Sequence, residues 1–153
     1  MKAVAPCDPG PWGGLAGKPW DDGVFSATKQ VLVHVANDGG IIHALQFQYE
    51  KMDGKAFWSQ KHGGRGGEIT KRINLESASE FIANITGFYG PIEGSGGFEA
   101  IRSISFHTNK GKYGPFGSEV GKYFASGFGG KIVGFHGRSS VYLDAIGIHM
   151  AYF

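Results

Sequence analysis

Apolar and polar residues alternate along this chain in short runs separated by glycine-rich turns. The runs "QVLVHV" (30–35), "IIHALQFQYE" (41–50), "EITKRINL" (68–75), "EFIANITGFY" (80–89), "AIRSISFHT" (100–108) and "KIVGFHG" (131–137) have the period of two expected of strands with one buried face. Between them lie "NDGG", "KMDGK", "HGGRGGE", "YGPIEGSGG" and "NKGKYGPFGSEVG", which read as turns. Only Ser77-Ala78-Ser79-Glu80 has the spacing of a helix capping box. The alternation of Phe81, Ala83 and Ile85, closed by Gly87, reads as a strand there too. The pattern predicts an all-β domain.

The last run, "SSVYLDAIGIHM" (139–150), contains a carboxylate. Ile146, Ile148 and Met150 recur at every second position, and Asp144 and Tyr142 share that parity, so Asp144 is expected to point the same way as the core. A carboxylate buried there without a partner would cost at least ~2 kcal/mol. Asp144 is therefore expected at the strand mouth, met by turn amides and solvent. This stretch alone serves a simple cap of its own turn equally well.

The same corner recurs. "GGIIHALQFQY" (39–49), "GGFEAIRSISF" (96–106) and "SSVYLDAIGIHM" each run from a small-residue turn into a polar residue, an alanine and an aliphatic residue. These triplets are His43-Ala44-Leu45, Glu99-Ala100-Ile101 and Asp144-Ala145-Ile146. Three such corners predict three similar sheets. In the middle copy the alternation slips after Arg102, which predicts a β-bulge.

Composition limits the chemistry. With 153 residues the chain fits one domain, and its 27 glycines fit many turns. A net charge of +2, with Lys and Arg scattered singly, gives no basic stripe for nucleic acid. No apolar run approaches the ~20 residues of a membrane span. Residues 1–15 lack the apolar stretch of a signal peptide, so a cytoplasmic or cytoplasmic-and-nuclear location is expected. Cys7 is the only cysteine, and a reducing compartment suits it. Residues 1–9, from the Pro-rich "MKAVAPCDPG", read as a flexible arm or linker ahead of a domain at 10–153. Six dispersed histidines predict no metal site, and "KGKYG" and "GGKIV" lack the spacing of a phosphate-binding loop. The Asn84-Ile85-Thr86 sequon reads as coincidence.

The ordered segments "GPWGG", "PWDDG", "GGIIHALQFQY", "ESASEFIANITGFYG", "IRSISFHTNKGKYGPFG" and "GGKIVGFHGRSSVYLDAIGIHM" make residues 10–153 resemble a jacalin-related plant lectin. The resemblance implies a β-prism of three four-stranded antiparallel sheets with pseudo-threefold symmetry. It also implies a plant-defence protein that binds carbohydrate, catalyses nothing and needs no metal or cofactor. Carried over by position, Asp144 accepts from O4 and O6 of a hexose, the amides of Val141 and Tyr142 donate to the ring oxygen and O6, and the Gly14 amide donates to O3. Gly13 and Gly14 suit a backbone that a ligand approaches closely. Tyr142 offers an apolar face to the sugar or to the prism. Phe98 and Glu99 match a flanking loop that tunes specificity.

Ser140 departs from the glycine the family usually has four residues before the aspartate. It is strained if that position has φ > 0, and otherwise its hydroxyl is free to hydrogen-bond. Some relatives have a second aspartate where this chain has His43, so that corner is expected to be silent or weak. Gly14 inside an uncut chain favours mannose and glucose, whereas an aromatic at 142 suits galactose, the alternative preference. A glycoside hydrolase pairing Glu99 with Asp144 and a protein-interaction module are the rivals from other classes. A homodimer formed through an exposed outer strand, and a fused dirigent-like domain, are the partners that the resemblance suggests besides the glycan.

Overall fold

The computed structural model describes residues 9–36, 40–66, 69–75 and 78–153. Most of the arm, with Cys7, lies outside these residues, as does Ser77 of the capping-box sequence. Among these described residues thirteen strands follow one another: β1 (Trp12–Gly13), β2 (Lys18–Asp21), β3 (Ala27–Val35), β4 (Ile42–Glu50), β5 (Ala56–Trp58), β6 (His62–Gly63), β7 (Ile69–Asn74), β8 (Ile82–Pro91), β9 (Glu99–Thr108), β10 (Lys112–Gly117), β11 (Lys122–Ala125), β12 (Gly130–Ser139) and β13 (Leu143–Tyr152). The described residues contain no helix.

These strands form three antiparallel sheets, each built on one long hairpin. Sheet 1 has the order β1-β13-β12-β2 and sheet 2 the order β10-β9-β8-β11. Sheet 3 has the order β5-β4-β3-β7, with β6 also on β4, so two short strands share its outer position. The central hairpins β3–β4, β8–β9 and β12–β13 contain the alternating runs read from the sequence except "EITKRINL", which supplies the outer strand β7. The outer strand β10 falls in a stretch that reads as turn, and β11 follows it outside every alternating run. Their sequences, KYGPFG and KYFA, bring only isolated side chains such as Phe124 to the core, and that leaves no alternation to see.

The inner faces meet in one apolar core. Phe47 of sheet 3 stacks on Phe135 of sheet 1 with centroids 4.2 Å apart, and Phe106 of sheet 2 meets Phe135 edge-on at 6.3 Å. All three rings are fully buried, each stabilising the fold by about 1.5–3 kcal/mol. Alanine at Phe135 would remove the ring that touches both others, at a cost of about 3–5 kcal/mol.

Each central hairpin carries a bulge near its turn, at equivalent places. In sheet 1 Arg138 pairs with Ala145 and Ser139 with Leu143, which leaves Asp144 as the extra residue. In sheet 3 the extra residue is His43, between the pairs His34–Ala44 and Val35–Ile42. In sheet 2 it is Arg102, between the pairs Phe88–Ser103 and Tyr89–Ile101. The predicted bulge in the middle copy is thus found at Arg102, and the alignment of corners needs correction. The counterpart of Asp144 and His43 is Arg102, not Glu99, because the repeat follows the bulge and not the letter match.

Candidate carbohydrate-binding site

The bulge decides where Asp144 points. Leu143 and Ile146 both face the core, as do Ile42 and Leu45 in sheet 3 and Ile101 and Ile104 in sheet 2. Two core residues three apart cannot lie on one face of a regular strand, so the residue after the first is turned out of the alternation. Asp144 therefore leaves the core face that its parity suggested. It is nevertheless only 2% exposed, and this corrects the expectation of a solvent-met strand mouth.

The glycines of a neighbouring loop make the burial. Gly13 sits opposite Ala145 in β1, and the Gly14 amide donates to the Asp144 carbonyl at 2.8 Å. At Gly17, whose φ is +78°, a Cβ would stand 2.5 Å from Asp144 Oδ2 and 2.5 Å from the Ser139 carbonyl. Only glycine accepts that conformation and that closeness cheaply. Arg138 holds the loop by donating to the Ala16 carbonyl at 3.2 Å and to the Gly17 carbonyl at 2.8 Å.

Ser140 has no positive φ, so its replacement of glycine causes no backbone strain, and its hydroxyl hydrogen-bonds the Asp144 carboxylate. Oδ2 of that carboxylate is buried and has no hydrogen-bond partner among the described residues. Burial pushes the Asp144 carboxyl above the ordinary carboxylate range, opposed by the Ser140 hydrogen bond and by the Arg138 charge. No raised acid was expected from the sequence, which cannot reveal this loss of solvent.

The turn 140–142 completes the corner. The Ser140 amide donates to the Tyr142 carbonyl at 2.9 Å, while the amides of Val141 and Tyr142 have no acceptor among the described residues. The amide of Gly17 also lacks one. The structure thus gathers Ser140, Val141, Tyr142 and Asp144 as the sequence reading grouped them, and adds Gly17. Gly14 does not offer its amide, because the Asp144 carbonyl already takes it. The signal for Gly17 was its place in "GGLAG": the same five-residue frame recurs as Gly117 to Gly121, where a Cβ on Gly121 would stand 2.3 Å from the Tyr89 carbonyl.

Phe98 and Glu99 line a cavity with Gly14, Leu15 and Ala16, and Phe98 is 62% exposed. A Cβ on Gly14 would stand 2.1 Å from the Glu99 carbonyl, so the flanking loop rests directly on the Gly14 backbone.

The other two corners have different chemistry. His43 lies under Gly66, where a Cβ would approach its ring to 2.4 Å, and its ring centre is 5.3 Å from that of Tyr142. His43 Nδ1 is buried without a partner among the described residues. Arg102 closes its corner with its own side chain, donating to the Gly40 carbonyl at 2.9 Å and the Pro91 carbonyl at 2.8 Å. Among the described residues no group of three His, Cys, Asp or Glu side chains is arranged to hold a metal ion. Asn84 of the sequon is 4% exposed, inside β8.

Comparison with known proteins agrees with this architecture. The sequence profile of the Jacalin-like lectin domain matches residues 9–149. An agglutinin from Castanea crenata is 53% identical over 154 residues, which take in all of this chain and 49% of that protein. Jacalin-related lectin 3 of Arabidopsis thaliana is 48% identical over 152 residues, 98% of this chain and 25% of that protein. The chain thus spans about half the length of the first relative and a quarter of the second. Among solved structures, artocarpin in complex with mannopentose superposes with a TM-score of 0.84 at 36% identity, covering 93% of this chain and 95% of its own. A mannose-specific jacalin-related lectin from Morus nigra, in complex with mannose, gives 0.85 at 34% identity, covering 98% and 96%.

Proposed function

The chain belongs to the jacalin-like lectin family, and on that premise we propose that it is a carbohydrate-binding module whose Asp144 corner takes a terminal mannose or glucose residue of a glycan. The observation that carries this is a buried carboxylate oxygen of Asp144 without a hydrogen-bond partner among the described residues, set between the Gly13–Gly17 backbone and the turn 140–142. A sugar hydroxyl both donates and accepts, so a strong acceptor beside several fixed donors suits the hydroxyl-rich edge of a hexose. Exposed Val141 and half-buried Tyr142 supply apolar surface beside them. Mannose is favoured over galactose because artocarpin and the Morus nigra lectin were solved with mannose-type ligands.

Catalysis is not part of this reading. A glycoside hydrolase needs a second carboxylate facing the first across the scissile bond. The positions equivalent to Asp144 hold His43 and Arg102, and Glu99 meets this corner through its backbone.

One site is expected to be weak. Each hydrogen bond to sugar replaces one to water and nets about 0.5–1.5 kcal/mol, and a hydroxyl reaching Oδ2 must displace the Gly17 edge. A Kd near ~1 mM corresponds to roughly −4 kcal/mol. Useful avidity then comes from several linked sites, through self-association along an outer strand or through further domains. Competition by methyl α-mannoside and methyl α-galactoside in one calorimetric titration tests the sugar class. The mannoside is expected to bind more tightly, and a clear galactoside preference overturns the assignment. Intact nitrophenyl glycosides after prolonged incubation are expected alongside.

A further inference from the structure

A second concave site lies on the flank of the prism, where the outer strand of sheet 1 faces the outer strands of sheet 3. It is a cleft of about 510 Å³ between β2 and residues 57–62, walled by Trp20, Asp21, Asp22, Trp58, Gln60 and His62. That volume lies within the range of small-ligand sites.

The floor of the cleft is fixed by its own contacts, and the Trp20 Nε1 is buried without a partner among the described residues. Asp22 Oδ1 lies 2.7 Å from His62 Nε2, and the Tyr49 hydroxyl donates to Asp22 Oδ2 at 2.6 Å. The Trp20 indole stacks on the His62 ring with centroids 3.6 Å apart and planes within 4°. These contacts join sheets 1 and 3, and they leave the rim as the part able to engage a ligand.

The rim carries three features of different chemistry. Trp58, 37% exposed at the end of β5, is a large aromatic surface open to solvent. The Arg72 guanidinium, 6.0 Å from the Trp58 ring, braces it and is itself bonded to the Gln30 side chain. The Asp21 side chain is 59% exposed, and both of its described hydrogen bonds, from His149 at 2.8 Å and from the Gly23 amide at 2.9 Å, end on Oδ1. Oδ2 therefore stands open as an acceptor. The exposed Gln60 carboxamide adds a donor and an acceptor on the other wall.

A pyranose has two apolar C–H faces and a rim of hydroxyls, and those are the surfaces that a braced indole, a free carboxylate oxygen and a carboxamide would meet. Two carboxylates and no Lys or Arg among the lining residues oppose an anionic ligand. We propose that this flank cleft is a second saccharide site, taking one neutral hexopyranose residue of a glycan with its ring on Trp58 and its hydroxyls on Asp21 and Gln60. It uses no residue of the Asp144 corner and does not depend on how that corner functions.

The test follows Trp58 directly. The chain has three tryptophans, so 5-fluorotryptophan labelling gives three fluorine resonances, and Trp58→Phe assigns one of them. Methyl α-mannoside, methyl β-glucoside and methyl β-galactoside are each titrated to about 100 mM against the wild type and against Asp144→Ala. The expected result is a saturable shift of the Trp58 resonance with at least one of the three in both proteins, weakened at least fivefold by Gln60→Ala and by Asp21→Asn. No saturable shift with any of the sugars overturns the proposal. So does a shift seen in the wild type and lost in Asp144→Ala, which would report the first corner. A shift unaffected by both rim variants overturns it as well, and unchanged fluorine spectra of those variants without sugar show that their folds are intact.

Discussion

Asp144→Asn is expected to separate binding from stability, moving the two in opposite directions. The change keeps the shape of the side chain and the acceptor oxygen that meets Ser140, but replaces Oδ2 by an amide nitrogen and removes the charge. Two charge-assisted hydrogen bonds to sugar are weakened or reversed, which costs about 2–4 kcal/mol of binding. That corresponds to a loss of affinity of about 30- to 1,000-fold. In the free protein the same oxygen is buried without a partner among the described residues, and desolvation holds the carboxyl above its ordinary range. A carboxyl raised in the folded state carries no penalty well below its unfolded pKa, where both states are protonated. The penalty grows as pH rises from there through the folded pKa, and is complete above it. At pH 7 the variant is therefore expected to be more stable by about 1 kcal/mol, a Tm gain of about 2–4 °C for a chain of this size. Calorimetric titration with methyl α-mannoside and thermal unfolding from pH 3 to 8 check both parts, and the Tm gap should close towards low pH. A variant that binds normally, or one less stable than wild type at pH 7 with a gap that does not vary with pH, would refute the reasoning.

Three further outcomes are expected. Gly17→Ala, forcing a Cβ to 2.5 Å from Asp144 Oδ2 at a φ of +78°, should cost about 1 kcal/mol or more from the backbone alone, and lower mannoside affinity at least tenfold by calorimetry; unchanged affinity would remove Gly17 from the site. His43→Asp places a carboxylate in the equivalent bulge beside Gly63, Gly64 and Gly66, and should raise the number of sugar sites per chain in the same titration. No added site would show that the loop there is wrongly shaped. His62→Ala strips Asp22 of its partner at 2.7 Å and removes the ring beneath Trp20, so urea unfolding should show a loss of about 3–5 kcal/mol; less than 1 kcal/mol would mean that the pair is dispensable.

The three hairpins were legible in the sequence because alternation reports which face of a strand is buried, and the long strands of all three have one. Six short outer strands were not, since a segment such as Lys18–Asp21, with burial only at Trp20, has no period to detect. Asp144 was found from its place after a small-residue turn, but its orientation was misread because parity holds only within an unbroken register. The evidence for the slip was present in Leu143-Asp144-Ala145-Ile146, where two core residues stand three apart, as in Ile42 to Leu45 and Ile101 to Ile104. Matching alanines aligned Glu99 with the corner, whereas matching that interval selects Arg102. The charge state of Asp144 and the approach of Gly17 depend on contacts between distant segments, and no local pattern encodes them.

The bulge has an evolutionary consequence. A residue inside a regular strand must suit the core or the solvent, and changing its kind disturbs whichever it faces. The surplus residue of a bulge belongs to neither, because the flanking apolar pair completes the packing without it. In this one chain that slot holds an acid, an imidazole and a guanidinium, over backbones that pair alike on either side. Each slot can thus change its chemistry without repacking the interior. A scaffold that repeats it three times can acquire, lose or retune a specificity by single substitutions while the interior stays the same.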